Sequence, residues 1–252
     1  MFYYTVELEL GLFDDAYSRF CDILEENGRN LEAIFGLAHA CLSLCRNSIV
    51  EGKFAKALDF LKKGISIHEE HYFGSDAIRS RSVSAAKCLG DLYSMGSLLP
   101  ASMFGPDQKS NIASFEAQLH FVAKGEKYYE EAIEIAESAE FDEGIVAAAA
   151  CDLGANQFMQ AQLLCQSAAA SDKQKWTRFH FAKKTRILII LDKAVDSFLK
   201  AIDVCPKHPA GWCGIGVVMS FSDPLIAQHC FSRALELDKS SPGMFLIILF
   251  NI

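Results

Sequence analysis

Between Ala194 and Ala234 the small and apolar residues fall three or four positions apart, the step that keeps side chains on one face of an α-helix. Ala194, Phe198 and Ala201 make a first stripe, closed by Pro206. Trp212, Ile215, Gly216 and Met219 make a second, and Ala227, Phe231 and Ala234 repeat the spacing of the first. From Ala194 to Ala227 is 33 residues (227 minus 194). The pattern predicts three helices. Pro206 stands where the first must stop, because proline has no backbone donor and its ring clashes inside a helix.

That pattern and period are those of a tetratricopeptide repeat, a pair of antiparallel helices stacked on its neighbours. The expected fold class is all-α: an α-solenoid of tetratricopeptide helix-turn-helix repeats forming a right-handed superhelix, with some repeats lengthened or interrupted. Gly216 and Ala227 are small so that the two helices of a hairpin can approach, since a larger side chain there would overpack the contact by about 1–3 kcal/mol. Trp212 and Phe231 supply large apolar volume, and truncating such a residue costs about 3–5 kcal/mol.

The same spacing extends through the chain. Gly11, Phe13 and Ala16 read as a turn entering a second repeat helix, continued by Phe20 and Ile23, which puts Met1 inside a first helix. Leu31 to Leu44 opens the next unit, with Ile34, Leu37, Ala38 and Cys41 in the places of Trp212, Ile215, Gly216 and Met219. Its partner helix follows Gly52 and Phe54, with Ala57, Leu61 and Gly64 in register. Ala16 to Ala57 is 41 residues (57 minus 16), so this repeat is lengthened. Residues 76–97 read as helix around Leu89, Gly90 and Tyr93. Ser97 to Asn111, with Pro100, Gly105 and Pro106, is the one long loop. Ala132, Ala136 and Ala139 mark a helix, and Leu153 and Gly154 the next, with Ala147 to Ala150 allowing close contact. The repeat is interrupted from Gln166 to Arg186 and resumes at Ile187. Phe245 takes the Trp place of a further repeat, making Met244 to Phe250 half of a hairpin. Residues 1–252 therefore read as a single array, truncated at both ends, with a sticky apolar terminus.

Composition narrows the classes. Hydrophobic residues are 51% and charged ones 22%, enough apolar content to build a core. Only 6 prolines and 16 glycines occur, with no linker-like run to mark a domain boundary. A net charge of −8 argues against whole-surface attraction to nucleic acid or anionic membrane. The nine cysteines lack any C-x-x-C pair and mostly sit among apolar helix positions, the pattern of buried free thiols in a reducing compartment, with zinc or disulfide frameworks as the alternative. The N-terminus has no basic region ahead of an apolar core, so it is not read as a signal peptide. No apolar run is read as reaching the roughly 18–20 residues of a membrane span, and no membrane partner is expected.

No catalytic constellation emerges. His68-Glu69-Glu70-His71 is one residue short of the zinc-protease spacing and reads as an exposed helix end. Glu130, Glu131, Glu134 and Glu137 form a solvated helix face, and His229 is a packing or surface histidine. Nucleophile elbows and Walker loops are missing, and Gly214 and Gly216 are packing residues. We expect no enzyme, no cofactor and no metal. Repeats that clamp a terminal carboxylate resemble one another in having Lys one residue, and Asn five residues, after the Trp place. Phe35 and His39, Cys151 and Ala155, and Cys213 and Val217 occupy those places, so the clamp is not expected.

One basic, aromatic segment stands against the acidic average: Lys173, Lys175, Trp176, Arg178, Phe179, His180, Phe181, Lys183, Lys184 and Arg186. Positive charge interleaved with rings suits phosphate contact and base stacking on single-stranded RNA, and equally an acidic protein. The plain alternative is an inserted helix with packed rings and solvated lysines. Lys173, Lys175, Trp176, Arg178, Lys183, Lys184 and Arg186 are the candidate partner or RNA contacts.

Leu191 to Ala201 (L-D-K-A-V-D-S-F-L-K-A), Gly214 to Val218 (G-I-G-V-V) and Ala227 to Phe231 (A-Q-H-C-F) resemble the later repeats of the scaffold subunit of the superkiller complex. Cys88 to Asp91 (C-L-G-D) and Asp152 to Ala161 (D-L-G-A-N-Q-F-M-Q-A) resemble its middle portion, and the likeness runs from about Ala77 onward. The resemblance implies a non-catalytic scaffold that holds a DExH-type RNA helicase and WD-repeat proteins, with an exosome adaptor, for cytoplasmic 3′-to-5′ mRNA decay. RNA contact would be mainly indirect, and the nucleus is a second compartment. The alternative is a tetratricopeptide peptide-binding adaptor unrelated to RNA.

Overall fold

The computed structural model describes residues 8, 10–72, 82–105, 112–139, 141–170 and 178–239, with the side chains of 71–72, 170 and 178–183 outside the description. The described residues form helices α1 (Phe13–Glu26), α2 (Leu31–Val50), α3 (Phe54–Tyr72), α4 (Val83–Met95), α5 (Ile112–Ser138), α6 (Glu143–Ala170), α7 (Arg178–Val204), α8 (Pro209–Met219) and α9 (Pro224–Leu237). No strand occurs among them. Contacts group the chain into two units, Met1–Tyr128 and Tyr129–Ile252.

In the first unit α2 packs on α1, α3 and α4. Its turn into α3 needs Gly52, whose φ of 73° lies in the left-handed region; Gly11, at 77°, serves the same purpose before α1. Helix α2 begins where Asn30 caps it by accepting from the backbone N–H of Ala33. By length and composition this helix could cross a membrane, which corrects the expectation that no segment could. It is instead the central rod of the unit, with Ile34, Leu37, Ala38, Cys41 and Cys45 all buried against its neighbours. Its 20 residues also account for the lengthened repeat.

The segment read as a loop after Tyr93 holds two short 3-10 turns, Gly96–Leu98 and Ala101–Phe104. Gln118 of α5 fixes the first, its Nε2 donating to the carbonyls of Gly96 (2.9 Å) and Leu99 (2.7 Å). Residues 106–111 of the expected loop and 76–81 of the expected helix lie outside the described residues.

In the second unit α6 and α7 make a long hairpin, of 28 and 27 residues, and α8 with α9 a short one of 11 and 14. The interruption expected from Gln166 to Arg186 is much smaller: α6 runs through Ala170, and α7 has begun by Arg178. Gln166 to Ala170 are mostly good helix formers, and no Gly or Pro breaks 178–186. Helix α7 ends at Val204 ahead of Pro206, as expected. The Trp212 indole donates to the Pro206 carbonyl (2.9 Å), so this ring is only half-buried and closes a turn as well as filling space.

Phe198 of α7 organises the unit. A Cβ built on Gly154 of α6 would sit 2.9 Å from its ring, and one on Gly214 of α8 only 2.2 Å away. The ring thus lies between two helix backbones, one from its own hairpin and one from the next. The first unit repeats the contact between consecutive helices, because a Cβ on Gly36 of α2 would meet Phe20 of α1 at 2.3 Å. Gly216 faces Phe231 in the same way (2.6 Å), and Ala227 is buried, so the small positions do mark helix contacts.

Asp223 caps α9, one carboxylate oxygen accepting from the N–H groups of Leu225 and Ile226 at 3.1 Å each. Asp223→Ala is expected to lower stability by about 1 kcal/mol, as cap removals do. Urea unfolding of the two proteins checks it, and Asp223→Asn should recover most of the loss.

Candidate interaction surface

The basic segment meets the structure only at its C-terminal end. Lys173, Lys175 and Trp176 lie outside the described residues, as do the side chains of Arg178 and Lys183, although both of those positions are on α7. Lys184 and Arg186 are exposed on the second and third turns of that helix. Being two residues apart they point about 200° apart around the axis, so they flank a face instead of sharing one. Between their directions, one turn further along, come Leu188 (51% exposed) and Ile189 (52%). The opposite side of α7 buries Ala194, Ser197, Phe198 and Ala201. Asp192 and Asp196 continue the outward face, and both are exposed.

A second polar locus lies inside the first unit. Glu69 of α3 accepts hydrogen bonds from the phenols of Tyr93 (2.8 Å) and Tyr128 (2.5 Å), whose rings stack with centroids 5.7 Å apart. Burial, then the bond to Glu69, pushes the Tyr93 phenol up, so it remains a neutral donor. The neighbouring His68 is 1% exposed and packs on Phe35, centroids 5.2 Å apart. His68 and Glu69 are therefore not an exposed helix end, because α3 continues to Tyr72. The signal was present in the sequence: Ala57, Leu61 and Gly64 continue by one more four-residue step to position 68.

A third locus lies on α4, which the clamp comparison left out: Leu89, Gly90 and Tyr93 put Ala86 in the Trp place. Lys87 then occupies the lysine place of a carboxylate clamp, and Asp91 the asparagine place. Lys87 Nζ contacts both Asp91 oxygens (3.2 and 3.0 Å), so its charge is matched within the helix and an incoming carboxylate would face Asp91.

Cys151 Sγ and His208 Nδ1 approach to 3.6 Å. This is not an activated pair, since burial pushes the Cys151 thiol up to about 12 and the thiolate is the nucleophilic form. Among the described residues no group of three or more His, Cys, Asp or Glu could hold a metal ion. All nine cysteines are free: Cys165 is exposed, Cys21 and Cys205 are half-buried, and the other six are buried. Glu137, on the acidic face of α5, pairs with Lys200 of α7 at 2.8 Å. His229 is exposed and meets Trp212 edge-on, centroids 6.3 Å apart.

No protein-family model matches the chain. Tetratricopeptide repeat protein 37 of Xenopus laevis is 23% identical over 252 aligned residues, covering 94% of this chain. The chain spans 14% of that relative's length. Among solved structures, a thermophilic tetratricopeptide protein of Thermus thermophilus superposes with a TM-score of 0.51 at 14% identity, covering 98% of this chain and 94% of that one. The crystal structure of MamA gives 0.48 at 17% identity, covering 95% and 96%. Stacked helical hairpins, glycines set against phenylalanines between them, and the Thermus superposition together establish the tetratricopeptide-repeat fold, an architecture of protein-interaction adaptors.

Proposed function

We propose that the chain is a non-catalytic scaffold of superkiller type, ordering a DExH-type RNA helicase, WD-repeat proteins and an exosome adaptor for 3′-to-5′ mRNA decay in the cytoplasm, with the nucleus as a second compartment. The observation that carries this reading is the run of family-like segments on α4, α6, α7, α8 and α9. Match of most of the chain to a much longer tetratricopeptide protein supports a role as one section of an extended scaffold. Mechanistically, each helix face supplies a modest contact, and the stacked hairpins supply the geometry. RNA would be contacted mainly through partners, because the described surface of α7 mixes Lys184 and Arg186 with Asp192 and Asp196.

Affinity purification of the tagged chain from cells should recover a helicase and a WD-repeat protein. Recovery of other proteins with neither of these would remove the superkiller assignment and favour a peptide-binding adaptor unrelated to RNA.

A further inference from the structure

We propose that the outward face of α7 from Lys184 to Leu199 docks an amphipathic protein segment, acidic at one end and aliphatic behind it; this rests on the scaffold reading above. Leu188 and Ile189 are adjacent in sequence and about half exposed, on the side of α7 opposite its buried Ala194, Phe198 and Ala201. Leu199, 39% exposed, lies three helical turns beyond Leu188 on nearly the same line. Leu188, Ile189 and Leu199 thus form one aliphatic stripe along the helix with a polar rim, the layout of an interaction surface.

The rim specifies the partner. Lys184 sits one turn before Leu188, Arg186 borders the other edge, and both are exposed. Asp192 and Asp196 follow on the same face, also exposed. The order along the face is thus basic, aliphatic, acidic, with exposed Lys193 on the same edge as Arg186. A partner segment that places carboxylates against Lys184 and Arg186 while its own aliphatic row covers Leu188 and Ile189 meets complementary charge and apolar surface together. Single-stranded RNA fits less well, because Asp192 and Asp196 repel phosphate and Leu188 and Ile189 offer no ring for a base. The same carboxylates oppose an anionic bilayer.

The test uses the full chain and a fluorescent helical peptide with glutamates at one end and leucines at i, i+4 and i+7 behind them. Wild-type binding should weaken with salt. Leu188→Glu with Ile189→Glu, and separately Lys184→Glu with Arg186→Glu, should each weaken it by about tenfold or more, as loss of central or charged contacts does. Leu225→Glu, at a more exposed aliphatic on α9, should leave it unchanged. Unaltered thermal melts for all variants would show that folding is intact. Peptide binding indifferent to both α7 pairs would overturn the proposal. So would binding of an oligouridylate or of phosphatidylserine vesicles that is lost on charge reversal but ignores Leu188 and Ile189. Failed recovery of helicase and WD-repeat proteins alongside intact, α7-dependent peptide binding would remove the scaffold reading and leave this surface standing.

Discussion

Phe198→Ala is expected to destabilise the protein by about 3–5 kcal/mol, the range for truncating a buried aromatic that neighbours cannot fill. The expectation is strong here because the ring is held on two sides by helices. Gly154 of α6 and Gly214 of α8 both lack the Cβ that would collide with it, and rigid backbones cannot close on the space left behind. The converse substitution has the same origin. Gly214→Ala should cost about 1–3 kcal/mol by overpacking, against a gain of up to about 1 kcal/mol in helix propensity. Combining Gly214→Ala with Phe198→Ala should cost less than the sum of the two single losses, since residues in contact are not additive. Urea denaturation of the four proteins measures this. Strict additivity would mean that ring and glycine do not touch.

A second large effect concerns alkaline pH. Burial pushes the thiols of Cys41, Cys88 and Cys151 up to about 12, and that of Cys45 to about 11, from an ordinary value of 9.0. Each of these groups holds its proton longer when folded than when unfolded. Their contribution to stability is therefore complete below pH 9.0 and is lost as pH rises toward about 11–12. Each thiol ionised only in the unfolded chain removes about 1.4 kcal/mol per pH unit above its unfolded value. Four such thiols near pH 10.5 together reach several kcal/mol, comparable with the 5–15 kcal/mol that typically holds a domain. Urea midpoints under a reducing agent should fall steeply from pH 8.5 to 10.5, and Cys88→Ala, which keeps a small apolar side chain, should flatten the slope by about one proton. Midpoints independent of pH, or a variant with the wild-type slope, would contradict the thiol account.

Much of the first unit's core could be read from spacing alone, but not its polar interior. The stripe Ala57, Leu61, Gly64 identified a buried face of α3, yet His68 at its next step looked exposed because histidine beside two glutamates resembles a surface run. Burial of His68 against Phe35, and the two phenols converging on Glu69, depend on which helix lies opposite, and no local rule reports that. Lys87 shows the complementary failure. Leu89, Gly90 and Tyr93 fix the register that puts Ala86 in the Trp place and Lys87 after it, but the pairing of that lysine with Asp91 within α4 is visible only in the structure. On α7, the basic character of Lys184 and Arg186 was plain in the sequence, whereas the exposure of Leu188 and Ile189 was not. A run of Ile and Leu reads as core unless the packed neighbours are known.

By itself the sequence determined where small residues recur every three or four positions, and therefore that helices pair closely at Gly154, Gly216 and Ala227. It also placed the stops at Gly52 and Pro206. These are local consequences of missing Cβ atoms, left-handed backbone and a missing N–H. Only the tertiary structure decided that Gly214 and Gly36 receive the Phe198 and Phe20 rings of a preceding helix, and which side of α7 remains in water. Contacts between hairpins join residues many positions apart, and their partners follow from how the rods stack, not from any single period along the chain.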